Sequence, residues 1–170
     1  KLAINSDSER ISTFLRYVRT QYHINNQEYE KAKSYNDIFF IDIYNFQVRE
    51  FLDTIYIQRF KILFHTKKYE EIVSLFENKV TQRRILSVEK KGKQVILLYI
   101  IYDLAKYKQK NQTIEFAYNN IYRILDYYQY SNFLNCYNSI KDALSLVLSV
   151  LKLDKKQELK LKQLQQIIEE

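Results

Sequence analysis

A chain of 170 residues suits one folded domain with a substantial core and is short for two independent cores. With no Pro and a single Gly, Gly92, it lacks the turn and bulge residues that β-rich folds depend on, and a glycine-rich phosphate loop is excluded. Lys and Arg outnumber Asp and Glu by 27 to 20, and the lone Cys136 rules out an intrachain disulfide and with it a disulfide-stapled secreted domain.

Helices joined by short polar turns are what this composition leaves, and the apolar spacing predicts about eight of them. The first is expected to open at Ser6-Asp7-Ser8-Glu9, an SxxE capping box, and to carry Ile11, Phe14, Leu15, Val18 and Tyr22 as its apolar stripe. After the polar pair Asn25-Asn26, Asn26 is expected to cap a second helix that bears Tyr29, Ala32 and Tyr35 and then becomes almost wholly apolar from Ile38 to Ile43. A break at Asp42 or Asn45 follows, and Val48, Phe51, Leu52 and Ile55 lead onward.

Tyr56 to Val80 is the clearest unit in the chain: a helix, the turn His65-Thr66-Lys67-Lys68, and a second helix with Tyr69, Ile72, Val73, Phe76 and Val80 at helical spacing. Thr66 is the expected cap of that second helix, which Ile85, Leu86 and Val88 would continue toward Gly92. Val95 to Lys108 is the most hydrophobic segment and is expected to be a central buried helix. Asn111 is expected to cap a helix carrying Ile114, Ala117, Ile121 and Leu125, and Ser131 one running from Phe133 to Leu151. Asp154 with Gln157 repeats the capping-box logic and opens a last, Lys- and Gln-rich helix with a narrow apolar stripe.

These hairpins resemble divergent repeats of the tetratricopeptide type. Lys67-Lys68-Tyr69-Glu70-Glu71-Ile72 resembles that family's turn followed by an aromatic residue and a small one three positions on, with Ile72 in the small place. Leu104 with Ala105 and Ala117 with Ile121 match the large and small positions of the next hairpin, and Tyr29 with Ala32 those of the first. Thr20 and Asn36 depart from the pattern, as do Phe60, where the family prefers Gly, and the missing Pro. Taking Tyr29, Tyr69 and Ile114 as equivalent gives spacings of 40 and 45 residues, longer than the ~34 of the family.

The resemblance implies an all-α fold of stacked antiparallel hairpins, a right-handed solenoid formed by residues 1–170 as a single domain. It also implies a protein- or peptide-binding function on the face lined by the first helix of each pair. In that register the lining is Phe14, Tyr17 and Gln21, then Lys61 and His65, then Tyr99, Tyr102, Lys106 and Gln109. In texture the chain is further similar to the sensor halves of peptide-responsive regulators of the Rap, Rgg and PlcR type, which implies a ligand-sensing role beside a separate DNA-binding domain. The start at Lys1 and the absence of Met suggest a fragment of a longer chain.

Two other readings draw on different residues. Arg59 and His65, an Arg and a His separated by five residues, loosely resemble the motif of HEPN-type helical ribonucleases, in which the His assists proton transfer. Arg83, Arg84, Lys90, Lys91 and Lys93 form a basic segment suited to nucleic acid or another polyanion, and binding there would weaken steeply with salt. His23, His65 and Cys136 make no metal-ligand spacing, so neither metal nor cofactor is expected, and the main reading is not an enzyme. No apolar run approaches the ~20 residues of a membrane span. A cytoplasmic protein is expected, with a protein or peptide partner and the capacity to form a homo-oligomer.

Overall fold

The computed structural model describes the backbone of residues 2–45, 52–89, 95–131 and 133–169, and the side chains of 11–38, 40–41, 54–85, 95–127 and 140–166. Among these residues every regular element is a helix: α1 Leu2–Asn25, α2 Tyr29–Asn45, α3 Leu52–His65, α4 Tyr69–Glu77, α5 Lys79–Glu89, α6 Ile96–Lys108, α7 Ile114–Ser131, α8 Phe133–Val150 and α9 Lys155–Glu169. The all-α class predicted from a Pro-free, Gly-poor sequence is the class observed. The chain gathers into two compact units, Lys1–Lys68 and Tyr69–Glu170. The boundary falls directly after the turn of the Tyr56–Val80 hairpin, so α3 belongs to the first unit and α4 to the second.

Three turns repeat one backbone design. After α1 the Glu28 amide donates to the His23 carbonyl (2.9 Å) and the Gln27 amide to that of Ile24 (3.0 Å). The same pair of bonds follows α3, from Lys68 to Leu63 (2.8 Å) and Lys67 to Phe64 (3.1 Å). It recurs after α6, from Asn111 to Lys106 (3.0 Å) and Lys110 to Tyr107 (2.9 Å). Each is a Schellman closure, and its pivot lies in the left-handed region: Gln27 at φ 59°, Lys67 and Lys110 at φ 60°. Glycine is the usual pivot, and a residue with a Cβ there costs roughly 1–2 kcal/mol.

This closure explains several differences from the sequence-based caps. The Asn26 amide donates back to the Tyr22 carbonyl (2.9 Å), and the Thr66 hydroxyl to that of Ile62 (2.9 Å). Both side chains therefore satisfy the end of the helix before them and do not cap the one after. The Asn111 amide is consumed in its turn, and Thr113 opens α7 by accepting from the Phe116 amide at 3.3 Å. Asn78 splits the expected fourth helix in two, because its Oδ1 accepts from the amides of Val80 (2.9 Å) and Thr81 (3.4 Å) and so starts α5. Helix α1 begins at Leu2, with Ser6 inside it, since nothing from Leu2 to Asn5 resists helix. The Asp154–Gln157 capping box forms as predicted: Asp154 Oδ1 accepts from the Gln157 amide (2.8 Å) and Gln157 Oε1 from the Asp154 amide (3.2 Å).

In the first unit α1, α2 and α3 pack on one another around Ile24, Ala32 and Ile62, with Tyr29 against them. Alongside lies a polar seam. Thr13, Thr20, Asn36 and Gln58 are all buried, the Thr20 hydroxyl donates to the Arg16 carbonyl (2.8 Å), and Gln58 Nε2 donates to the Tyr17 carbonyl (3.3 Å). The Thr20 hydroxyl is thereby satisfied within its own helix, whereas both polar atoms of the Asn36 side chain and Gln58 Oε1 are buried without a hydrogen-bond partner. The apolar stripe of α1 is left exposed, from 42% at Val18 to 62% at Tyr22.

In the second unit α6 is the central helix predicted for Val95–Lys108, packed against α4, α7 and α8, with α5 on α4 and α9 on α8. Eight of its residues are buried, among them Ile100, Ile101, Leu104 and Ala105 with no exposed surface. Three residues into α2, α4 and α7 stand Ala32, Ile72 and Ala117, each fully buried.

Candidate functional site

Helix α6 carries Tyr99, Tyr102 and Lys106 at spacings of three and four, which places them along one side of the helix. Packing of α4 on α6 sets the Phe76 ring against that of Tyr102, with centroids 4.2 Å apart and planes at 18°, while Tyr99 meets Phe76 edge-on at 5.5 Å. The Tyr102 hydroxyl donates to Glu77 Oε1 (2.7 Å), and Lys106 Nζ lies 5.3 Å from the Tyr102 ring centre and 3.5 Å from its hydroxyl. Burial, the bond to Glu77 and the nearby carboxylates push the Tyr102 phenol far above its ordinary range, so it stays a neutral donor. The result is a half-buried aromatic platform bordered by a cation and a carboxylate, a surface suited to stacking and to hydrogen bonding with a peptide. Gln109 belongs to the neighbouring turn, where Asn111 donates to its Oε1 at 2.7 Å.

Phe76 and Glu77 were not expected at such a surface. Phe76 reads in the sequence as part of the apolar stripe of its helix, and nothing in the sequence singles out Glu77. Only the apposition of α4 and α6 joins them to Tyr102, and no local signal encodes that.

The first-unit members of the expected lining fall into two groups. On α1, Phe14 is half exposed with its ring 6.2 Å from that of Tyr17, and Gln21 accepts from Gln58 Nε2 (3.2 Å) and donates to Asn25 Oδ1 (2.8 Å). On α3, Lys61 is half-buried and His65 lies flat on Tyr29, centroids 4.3 Å apart and planes at 5°. Partial burial of the ring and the charge of Lys61 hold the His65 imidazole below its ordinary pKa.

Arg59, the other half of the Arg–His pair, is engaged elsewhere on the α2–α3 contact. Its guanidinium bonds to Asp37 and lies 5.5 Å from the Phe40 ring centre, and Lys33 Nζ meets the second oxygen of Asp37 at 2.8 Å. Burial would raise the Asp37 carboxyl, but hydrogen bonds from Lys33 and Arg59 more than offset it and hold the group below the usual range. His65 and Arg59 thus serve different neighbours, Tyr29 and Asp37. His23 bonds to Glu28 at 2.6 Å and stacks on Tyr35 at 5.3 Å.

Of the basic segment, Arg83 is exposed and Arg84 half-buried on α5, while Lys90, Lys91 and Lys93 lie outside the described residues. Asp103, an aspartate within an apolar run, is buried on α6. Burial raises its carboxyl above the usual range, against hydrogen bonds from Asn120 and Gln112 and the charge of Lys106. Among the described residues no group of three His, Cys, Asp or Glu is placed to hold a metal ion. Nor is any helix among them long and apolar enough to cross a membrane. No protein-family model, no curated protein and no solved structure matches the chain.

Proposed function

We propose that the chain is a helical-repeat module, of the tetratricopeptide-like kind its hairpins resemble, that binds a protein or peptide partner, and that it forms the ligand-sensing part of a regulator. The observation that carries this reading is the recurrence of one turn design at Gln27, Lys67 and Lys110, each followed by a second helix with a fully buried residue at its fourth position. Proteins built from repeated hairpins present side chains of successive helices to a partner, and the first helices here offer groups of the required chemistry. On α1 these are Phe14, Tyr17 and Gln21, and on α6 Tyr99, Tyr102 and Lys106.

Thermal unfolding of the full chain against an array of short synthetic peptides tests the proposal. A peptide that binds only the folded chain stabilises it by RT ln(1 + [L]/Kd), about 2.7 kcal/mol at a hundredfold excess over Kd. A subset of peptides that raises the melting temperature, with the effect of each lost in Y102A or in F14A, is the expected result. Stabilisation by single-stranded RNA or DNA alone, abolished at moderate salt, would contradict it and favour the basic segment.

A further inference from the structure

The described part of α1 is fastened to its unit with little apolar contact. Of its side chains from Ile11 to Asn25, three are buried, Thr13, Thr20 and Ile24, and the half-buried ones are Ser12, Arg16, Tyr17, Gln21 and His23. Ile24 is the one aliphatic side chain buried among these, and it lies beside the closing turn, packed with Ala32 and Ile62. Helix α3, by contrast, buries Ile55, Tyr56, Phe60, Ile62 and Leu63. Burial of apolar surface is the main force holding one helix on another, so α1 from Ile11 to Tyr22 is held more weakly than α3.

What this stretch covers is polar and incompletely satisfied. Thr20, Asn36 and Gln58 stand one helical turn along α1, α2 and α3 from the cluster of Ile24, Ala32 and Ile62. Asn36 has no exposed surface, yet neither polar atom of its side chain has a hydrogen-bond partner, and Gln58 Oε1 is buried in the same state. Gln58 Nε2 reaches the Tyr17 carbonyl at 3.3 Å and Gln21 Oε1 at 3.2 Å, both long for such bonds. A buried amide without partners costs free energy that water returns when the contact opens. Toward its C-terminal end α1 is pinned instead, by His23, which bonds to Glu28 at 2.6 Å and stacks on Tyr35 of α2.

We infer that α1 is a strap: from Ile11 to Tyr22 it lifts from α2 and α3 as one piece, about the closure at Ile24–Gln27, while α2 and α3 stay paired. Lifting hydrates Asn36 and Gln58 and gives up little apolar burial, because Ile11, Phe14, Leu15, Val18 and Tyr22 already face solvent in the closed form. The Arg59–Asp37 bond and the edge-on contact of Phe40 with Tyr56 join α2 to α3 without α1 and hold that pair together. The side of α2 and α3 that bears the two amides is thus covered in one form and open in the other, so a ligand that favours either form resets the balance. The inference does not depend on the partner-binding reading.

Native-state amide hydrogen exchange of the full chain in low denaturant tests it. After correction for intrinsic rates, amides from Leu15 to Tyr22 are expected to exchange through one shared opening of small denaturant dependence, about a hundredfold or more faster than those from Phe60 to Phe64. R59M and Y56L, which act on the contact of α2 with α3, should speed exchange in α3 several-fold and leave α1 unchanged. N36L should slow exchange in α1 about tenfold, since it removes the unpaired groups that opening hydrates, and N36V gives the same reading where leucine overpacks the site. Exchange in α1 that rises together with that in α3 in R59M and Y56L would make the three helices one cooperative unit and overturn the inference. Protection that decays residue by residue toward the N-terminus would reduce the strap to a fraying end. Unchanged α1 exchange in both N36L and N36V would remove the polar layer as the cause of opening, and the inference with it.

Discussion

Asp103 is a carboxyl buried on the central helix of the second unit, and its energetics set a pH dependence with a definite sign. Its pKa in the folded chain is raised by burial, so folding is penalised wherever the group must ionise. Its contribution is therefore full below the ordinary aspartate range and is lost as pH rises through the raised value. Asp103→Asn removes that loss. Thermal melts should show the variant more stable at neutral pH, with the difference closing as pH falls toward about 4. A variant less stable at every pH would mean that the hydrogen bonds from Asn120 and Gln112 outweigh desolvation.

His65 behaves in the opposite sense. Burial and the charge of Lys61 depress its pKa, so the stability it contributes is present above the ordinary histidine range and is lost as pH falls from there through the depressed value. An NMR titration should place the imidazole below its unperturbed value. Y29A should move it back toward that value and K61Q partly so, whereas an unmoved titration in Y29A would contradict the stacking account. Neither environment is written locally: the sequence shows a histidine at a helix end and an aspartate inside an apolar run, and only tertiary packing supplies Tyr29 to one and burial to the other.

At the scale of elements, the turns are the most legible part of the chain. Polar stretches between apolar stripes mark where α1, α3 and α6 give way to the next helix, although α2, α4 and α7 begin at Tyr29, Tyr69 and Ile114, about two residues later than caps at Asn26, Thr66 and Asn111 would start them. Caps are less legible. Asn26, Thr66 and Asn111 have side chains able to cap the following helix, but a Schellman closure commits these residues to the helix before. The same closure predicts a stabilising change. Replacing Gln27, Lys67 or Lys110 by Gly should relieve the left-handed strain and raise stability by roughly 1 kcal/mol each at unchanged fold, less the added freedom of the unfolded chain. Denaturant melts measure this, and a loss of stability in all three would contradict the assigned turns.

Arg59 belongs to the contact between two elements. Its bond to Asp37 joins α3 to α2, with both groups partly shielded. R59M should destabilise the chain by about 1–2 kcal/mol, between the worth of an exposed pair and a buried one, and D37N by a similar amount. If R59M left stability untouched, Arg59 would be free for another role and the ribonuclease resemblance would regain its ground.

For the molecule as a whole, composition was sufficient for the class: without Pro and with one Gly, only helices and short polar turns remain. The two compact units were not legible, because the Tyr56–Val80 hairpin reads as continuous while the packing assigns α3 to α1 and α2 and α4 to α5 and α6. The exposed stripe of α1 was legible as a stripe but not as a surface. Periodicity marks which residues share a face and is silent on whether that face turns to this chain or to another. Thr20 and Asn36, at which the tetratricopeptide resemblance departs, are both fully buried, so polarity at those positions in the sequence did not mark exposure.

The proposed partner surface lies on the first helices of the hairpins. Amide hydrogen exchange of the full chain, with and without a peptide that stabilises it, tests this most directly. Slowed exchange concentrated in α1 or α6 is the predicted result. Protection confined to α5 and α9, with α1 and α6 unchanged, would contradict it.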